Sequence, residues 1–318
     1  MGGYIAKRVG QALLVIWLAY TAVFLAVQAL PNDPVTIFLS TDAAADPATI
    51  AQLKAHYGYD QPLITQYLGQ LGALLRGDLG YSLSSGAPVA ARIGEVIGST
   101  LVLAGSAFVL AVLLAVALVA AATLARGERL RRALLNLPPL FISIPVFWLG
   151  LVLLQLLAVQ LGVMSLFPDG SALSLLVPIL VLALHLSAPI AQVLLKSVQQ
   201  VSAQPFVDVL RAKGAGESWI FYRHTLKNAA PAALSIAGIT IGTLLAGSVI
   251  TETVFARAGL GQLVLQAVTV QDIPLVQALV LLTAATFTVV NLLVDLIHPQ
   301  LDPRIITAHA GSARALAA

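Results

Sequence analysis

DVLRAKGAGESWIFYRHTLK, residues 208–227, is a charged island in a chain that is otherwise rich in apolar residues. The apolar segments on either side, around Leu175–Leu195 and Ala229–Ile250, each run about 20 residues, the length that crosses a hydrocarbon core about 30 Å thick. The island is therefore a loop between two spans. It carries Asp208, Arg211, Lys213, Glu217, Arg223, His224 and Lys227 on two short helical stretches broken at Gly214 and Gly216. Cations gathered between spans mark the cytoplasmic side. A cytoplasmic helix–Gly–helix loop of this kind suits the docking of a partner.

Composition points the same way. Hydrophobic residues make up 59% of the 318 and charged residues 10%, against roughly 45–50% and 25% in soluble domains. With a mean hydropathy of +0.94, a soluble globular domain is excluded. The net charge of +3 does not indicate nucleic acid, because the basic residues are dispersed over loops and no base-stacking aromatic stripe accompanies them. Cysteine is absent, so disulfides, thiolate metal sites and cysteine nucleophiles are absent too.

Following the apolar runs predicts an all-α polytopic membrane protein with about six spans. These are Val9–Leu30, Leu101–Ala125, Ala133–Leu161, Leu175–Leu195, Ala229–Ile250 and Leu275–Ile297. The first is read as a retained span preceded by Lys7 and Arg8, because its apolar run is longer than a signal peptide's core. In an alternating arrangement Arg126, Arg129, Arg131 and Arg132, the 196–227 loop and Arg304 all fall inside. Asp33, Asp42, Asp46, Asp60, Asp78, Asp169 and Asp272 fall outside, and both termini are cytoplasmic. Residues 1–30 are thus an N-terminal transmembrane helix and 31–99 an extracytoplasmic region of short helices and turns. Residues 100–306 are a five-helix core containing the cytoplasmic loop 202–228, and 307–318 a frayed tail. Asp46-Pro47 reads as a capped helix start with a turn at Gly58, and 63–75 as an amphipathic stretch.

Within the spans, Pro138, Pro139, Pro145, Pro178 and Pro189 are expected to loosen or kink their helices. Gly238, Gly242 and Gly247 offer small-residue spacing for close helix packing. Ionisable groups at membrane depth cost about 2.5–3.5 kcal/mol at a helix centre. His185, near Pro189 and Gln192, is accordingly a candidate for the translocation pathway, with helix-to-helix hydrogen bonding as the alternative. Glu252 and Asp295 lie near span ends, where water is expected to reach them. No Walker loop, zinc-type His-Glu-x-x-His pair or other catalytic constellation is present, and Gly105-Ser106 and Gly247-Ser248 read as packing. The chain is not read as an enzyme, and its energy has to come from elsewhere.

The loop resembles the EAA loop of binding-protein-dependent ABC importer permeases, with Asp208-Val209-Leu210 in place of Glu-Ala-Ala and Gly214 at the family's glycine. The strings Arg211-Ala212-Lys213-Gly214 and Arg223-His224-Thr225-Leu226-Lys227-Asn228 are similar to the peptide and nickel branch. So are Pro31-Asn32-Asp33-Pro34-Val35, Arg76-Gly77-Asp78-Leu79-Gly80-Tyr81-Ser82, Glu252-Thr253-Val254-Phe255 with Gly259-Leu260-Gly261, and Leu301-Asp302-Pro303-Arg304. The resemblance implies a type I importer permease fold in a bacterial inner membrane. It also implies pairing with a second, similar permease, two ATPase subunits and an extracytoplasmic binding protein, with membrane lipid around this chain and no nucleic acid partner. ATP and magnesium would be used by the ATPases, with no cofactor or metal held by this chain. Asp208, Arg211, Lys213, Gly214, Glu217, Arg223 and His224 would form the ATPase-coupling loop, and His185, Gln192, Glu252 and Phe255 the pathway or its outer gate. Di- or oligopeptides are the implied cargo, with nickel or a metal chelate as the alternative. A self-contained secondary transporter or channel is the competing class. It would require intramembrane carboxylates for coupling, which the span centres almost entirely lack.

Overall fold

The computed structural model describes residues 2–39 and 46–301. All regular elements among them are helices, the form that satisfies its own backbone hydrogen bonds where water is excluded. Helix α1 spans Gly2–Gln28 and is followed by three shorter helices, α2 at Pro34–Leu39, α3 at Pro47–Tyr57 and α4 at Leu63–Leu75. Next come α5 at Val89–Leu124, α6 at Glu128–Ser143, and α7 at Val146–Leu154, which continues as a π-helical segment over Gln155–Gln160. After α8 at Ala172–Ser202 lie α9 at Pro205–Ala212 and α10 at Glu217–Ile220. A second π-helical segment, Phe221–Thr225, leads into α11 at Leu226–Val254, and α12 at Leu260–Thr269 and α13 at Ile273–Leu301 complete the order. Arg304, Asp42, Ala44 and the 307–318 tail lie outside the described residues.

Four helices are long and apolar enough to cross a membrane unbroken: Gly3–Gln28, Val89–Leu124, Ala172–Ser202 and Ile273–Leu293. Two bent pairs bring the number to six, Glu128–Ser143 with Val146–Gln160 at 97°, and Glu217–Leu244 with Gly247–Val254 at 48°. The expected third span is thus sharply broken, and the break falls at one proline of its cluster. Pro138 and Pro139 sit inside α6, whereas Ile144 and Pro145 are extended, with ψ of 117° and 137°. The pyrrolidine ring of Pro145 disfavours helical angles in the residue before it, and here Ile144 leaves the helix. Pro178 and Pro189 lie inside an α8 that runs through them.

The chain forms two compact units. The first comprises Val102–Phe255 with the described parts of Met1–Arg8 and Val289–Ala318. Its centre is α8, whose Leu182, Ala183, Ile190, Ala191 and Leu194 are almost fully buried. Ala104, Ala107, Ala111 and Ala115 present a small-residue face of α5 to these packing clusters, which allows close backbone approach. Gly247 does the same on α11: a Cβ there would lie 2.8 Å from Leu182 Cδ1, so the partner of the glycine-bearing helix is α8. Tyr4 donates to the Asp295 carbonyl, and Arg8 pairs with the Asp295 carboxylate at 2.9 Å.

The second unit comprises Val9–Leu101 and Ala256–Thr288. Helix α5 starts twelve residues before the expected span because Val89 and Ile93 pack against Leu263, Ala267, Leu275 and Leu279. Pro47 stands at the first position of α3 as expected, although the Asp46 side chain makes no cap hydrogen bond, and Gly58 ends the helix in the left-handed region at φ 74°. Tyr67 of α4 packs its ring on Tyr20 and Phe24 of α1, and its carbonyl accepts from Tyr20 Oη at 2.7 Å. Asp33 pairs with Lys54 at 2.7 Å.

Candidate functional site

The loop between α8 and α11 has a buried inner face and an ionic outer one. Val207, Ile220, Phe221 and Thr225 are 2% exposed or less, and Phe221 joins Val198, Val201 and Ala229 in an apolar cluster. These residues fasten the loop to its helical bundle. Asp208, Arg211, Lys213, Gly214, Glu217 and Arg223 all lie on the exposed side.

The turn between α9 and α10 is a Schellman motif. Gly214 N–H donates to the Arg211 carbonyl at 2.9 Å and Ala215 N–H to the Leu210 carbonyl at 3.1 Å. Gly214 adopts φ +82°, and a Cβ built on it would meet nothing within 4 Å. The requirement for glycine here is conformational rather than spatial. Arg211 bridges the turn: Nε donates to Glu217 Oε1 at 2.7 Å, Nη2 to Glu217 Oε2 at 3.3 Å and Nη1 to Asp208 Oδ1 at 3.2 Å. The hydrogen bond to Glu217 is the main cause that raises the Arg211 guanidinium, and it holds the Glu217 carboxyl below its ordinary value. One guanidinium thus links the first carboxylate of α9 to the first of α10 across the turn.

Beside this clamp the loop exposes apolar surface. Val209, Trp219 and Tyr222 are each more than half exposed, and the Trp219 ring lies 4.7 Å from the His224 ring. His224 Nε2 is buried without a hydrogen-bond partner among the described residues. The π-helical turn Phe221–Thr225 carries Arg223 and His224 at the point where the loop becomes α11. Such turns widen a helix and frequently accompany functional positions.

The residues predicted for the pathway separate into two environments. His185 and Gln192 sit seven residues apart on α8, hence on one face. His185 is partly buried and its Nδ1 has no partner among the described residues, while Gln192 is exposed. Glu252, by contrast, is fully buried, which corrects the expectation that its position near a helix end makes it water-accessible. Phe255 is 3% exposed and packs against Val146, Met164, Val177 and Val181.

Sequence reading missed a further constellation in the second unit, at Asp272. Its Oδ2 accepts from Ser82 Oγ at 2.5 Å, Ser84 Oγ at 2.8 Å and Ser84 N–H at 3.1 Å. Its Oδ1 accepts from Leu83 N–H at 3.1 Å and Leu275 N–H at 3.3 Å. Burial alone would raise this carboxyl, but the hydrogen bonds from Ser82, Ser84 and Leu83 outweigh it and the net shift is downward. The available signal was Asp-Ile-Pro at 272–274, a capping residue ahead of a helix start. The long-range serine partners left no trace in spacing.

Residues 107–307 match the family described as binding-protein-dependent transport system inner membrane component, and residues 1–104 match that family's N-terminal region. The glutathione transport system permease protein GsiC of Salmonella choleraesuis is 32% identical over 305 residues, covering 96% of this chain and 99% of the relative. A Brucella abortus chain provisionally named a peptide transport system permease protein is 32% identical over 317 residues, with the same coverage. Among solved structures, an inward-facing form of the MetNI methionine ABC transporter superposes with a TM-score of 0.56 at 18% identity, over 66% of this chain and 96% of the other. That similarity supports the type I importer permease fold. By the family match over most of its length and by its full-length relatives, this chain belongs to the binding-protein-dependent inner membrane components and is a permease subunit of an ABC importer.

Proposed function

We propose that the chain forms half of a translocation pathway for short peptides, with a second, similar permease forming the other half. The peptide class is supported by the names of its relatives, glutathione being itself a short peptide. Both termini lie in the cytoplasm in this reading, and a binding protein delivers cargo on the opposite side. ATP and magnesium are used by two separate ATPase subunits that dock on the 202–228 loop. The observation that carries the coupling role is the loop's construction: a buried apolar root, a left-handed glycine and an Arg211 clamp hold an exposed surface in one orientation. A rigid lever of this kind transmits ATPase closure to α8 and α11 and shifts the permease between inward- and outward-facing states. His185 and Gln192 supply a polar face along α8, and Glu252 and Phe255 a packed end to α11 that serves as an outer gate.

The test uses Gly214. A β-branched side chain at φ +82° is a backbone outlier, whereas Asn tolerates that region. Gly214→Val is expected to leave the permease inserted and able to receive its binding protein, but to abolish stimulation of ATP hydrolysis by loaded binding protein and uptake of labelled di- and tripeptides. Gly214→Asn is expected to retain most of both. Wild-type uptake and stimulation in the Val variant at equal expression would remove the loop from the coupling role.

A further inference from the structure

The second unit contains a cavity that the transport reading does not use. Its volume is about 150 Å³, a size that accepts a benzene-like guest. Tyr20 of α1, Tyr57 at the end of α3, Tyr59 just after it and Tyr81 of the loop before α5 line it. Asp78 lines the same cavity, with Gln70 of α4 and Gln277 of α13.

The residues that line this cavity carry charge of one sign, with the His56 ring lying outside the lining against Tyr57 and Tyr81. No Lys, Arg or His is among the lining residues. Asp78 accepts a hydrogen bond from Gly80 N–H at 2.9 Å and makes no ion pair among the described residues. A second carboxylate, Asp272, lies behind the tyrosines, and its hydrogen-bond donors are all hydroxyl or amide groups. Its negative charge adds to burial in raising the phenols of Tyr57 and Tyr59. Asp33, which also acts on Tyr59, is neutralised by Lys54.

The aromatic rings divide by task. Tyr57 and Tyr20 have structural hydrogen bonds, to the carbonyls of Ser82 at 3.3 Å and Tyr67 at 2.7 Å. The hydroxyls of Tyr59 and Tyr81 and the amides of Gln70 and Gln277 bond to no protein group among the described residues. Tyr57 and Tyr59 are stacked, with ring centroids 6.4 Å apart and 18° between planes. Phenol faces and an unpaired carboxylate around a small, partly apolar space select a cation on a hydrocarbon stem, because ring quadrupole and carboxylate act with the same sign. A hydrated metal ion would instead need several oxygen ligands in one shell.

The geometry points to a receptor site for an alkylammonium group, with Asp78 as counter-ion and Tyr57, Tyr59 and Tyr81 as aromatic walls, while Leu74 and Leu281 hold the stem. Two sources carry this chemistry. One is the amino group of a solute such as a peptide, which rests on the peptide reading above. The other is the ethanolamine headgroup of a phospholipid, which does not. Helices α1 and α4, which line the cavity through Tyr20 and Gln70, also carry exposed apolar side chains such as Leu25 and Leu68, which would suit acyl chains of that lipid.

The full-length permease in its complex is reconstituted in nanodiscs of phosphatidylglycerol, a lipid without an amine, and titrated with n-butylammonium, neutral 1-pentanol and butyrate. Butylammonium is expected to raise the thermal midpoint where the other two do not. Asp78→Asn, which keeps an acceptor for Gly80 N–H but removes the charge, is expected to lose that shift. Tyr59→Leu, which keeps the carboxylate, is expected to weaken it, and provides the comparison if Asp78→Asn is itself unstable. Native mass spectrometry of complexes from ethanolamine-containing membranes identifies the source. One more phosphatidylethanolamine retained by wild type than by Asp78→Asn assigns the headgroup, and equal counts with the butylammonium shift intact assign a solute amine. Equal counts with no butylammonium shift, or a shift of the same size in Asp78→Asn and Tyr59→Leu, would overturn the site. Both arms read binding, so their failure leaves the transport assignment standing.

Discussion

Asp272→Ala is expected to loosen the second unit, and the structure allows the cost to be worked out. The carboxylate is fully buried and accepts five hydrogen bonds. Truncation leaves the hydroxyls of Ser82 and Ser84 free to turn elsewhere, but the N–H groups of Leu83, Ser84 and Leu275 cannot move without moving the backbone. Three orphaned amides at about 1–3 kcal/mol each give a loss of roughly 3–9 kcal/mol, and water entering the vacated space brings the expectation to the lower end, about 3 kcal/mol. Asp272→Asn keeps one acceptor oxygen for two of the amides and orphans one, so its cost is expected near 1–3 kcal/mol. The assay is thermal unfolding in nanodiscs together with limited proteolysis of the 76–88 segment, which Asp272 ties to the start of α13. The native carboxyl is depressed relative to its unfolded value. Its contribution is therefore complete above about pH 3.9, the ordinary carboxylate value, and is lost as pH falls through the lower native value. The difference between wild type and Asp272→Asn should shrink in that acid range. An Ala variant within about 0.5 kcal/mol of wild type at neutral pH, the range of ordinary surface changes, would refute the reasoning.

Gly150→Ala places a methyl 3.1 Å from Val254 Cγ1 and 3.3 Å from the Phe255 ring; an overpacking cost of about 1–3 kcal/mol should appear as a lowered thermal midpoint, and an unchanged midpoint would mean that α7 and the end of α11 yield freely. His185→Leu should reduce peptide uptake while assembly and insertion persist, and normal uptake would remove His185 from the pathway. Cysteines placed singly at Ser171, Gly127 and Gly216 test orientation: an impermeant thiol reagent outside intact cells should label the first alone, and labelling of the Gly127 position would reverse the topology.

Much of the fold was legible because the bilayer imposes a length and a polarity on whatever crosses it. The six apolar runs and the break of the 208–227 island at Gly214 follow from hydropathy and backbone permissiveness, which are local properties. The limits of α3 were legible for the same reason, since Pro47 and Gly58 mark helix ends by their own backbone limits. What remained hidden depends on residues far apart in the chain. Helix α5 begins at Val89 because Leu263 and Leu275 cover its first turns, and no periodicity within 89–100 announces those partners. Proline cluster and bend were both expected, yet only the packed backbone shows that Pro145 breaks the helix while Pro138 and Pro139 remain inside one. Glu252 read as a water-accessible end residue because depth along a helix says nothing of what packs against its side. Asp272 read as one more outer charge, and its role rests on serines 188 and 190 positions away. The sequence by itself determined that this chain crosses a membrane and turns a charged glycine-hinged loop to one side, because hydrophobicity and backbone freedom are written residue by residue. Tertiary structure alone decided which carboxylates are buried, paired or left facing a cavity, because electrostatic environment belongs to the neighbours that folding brings together.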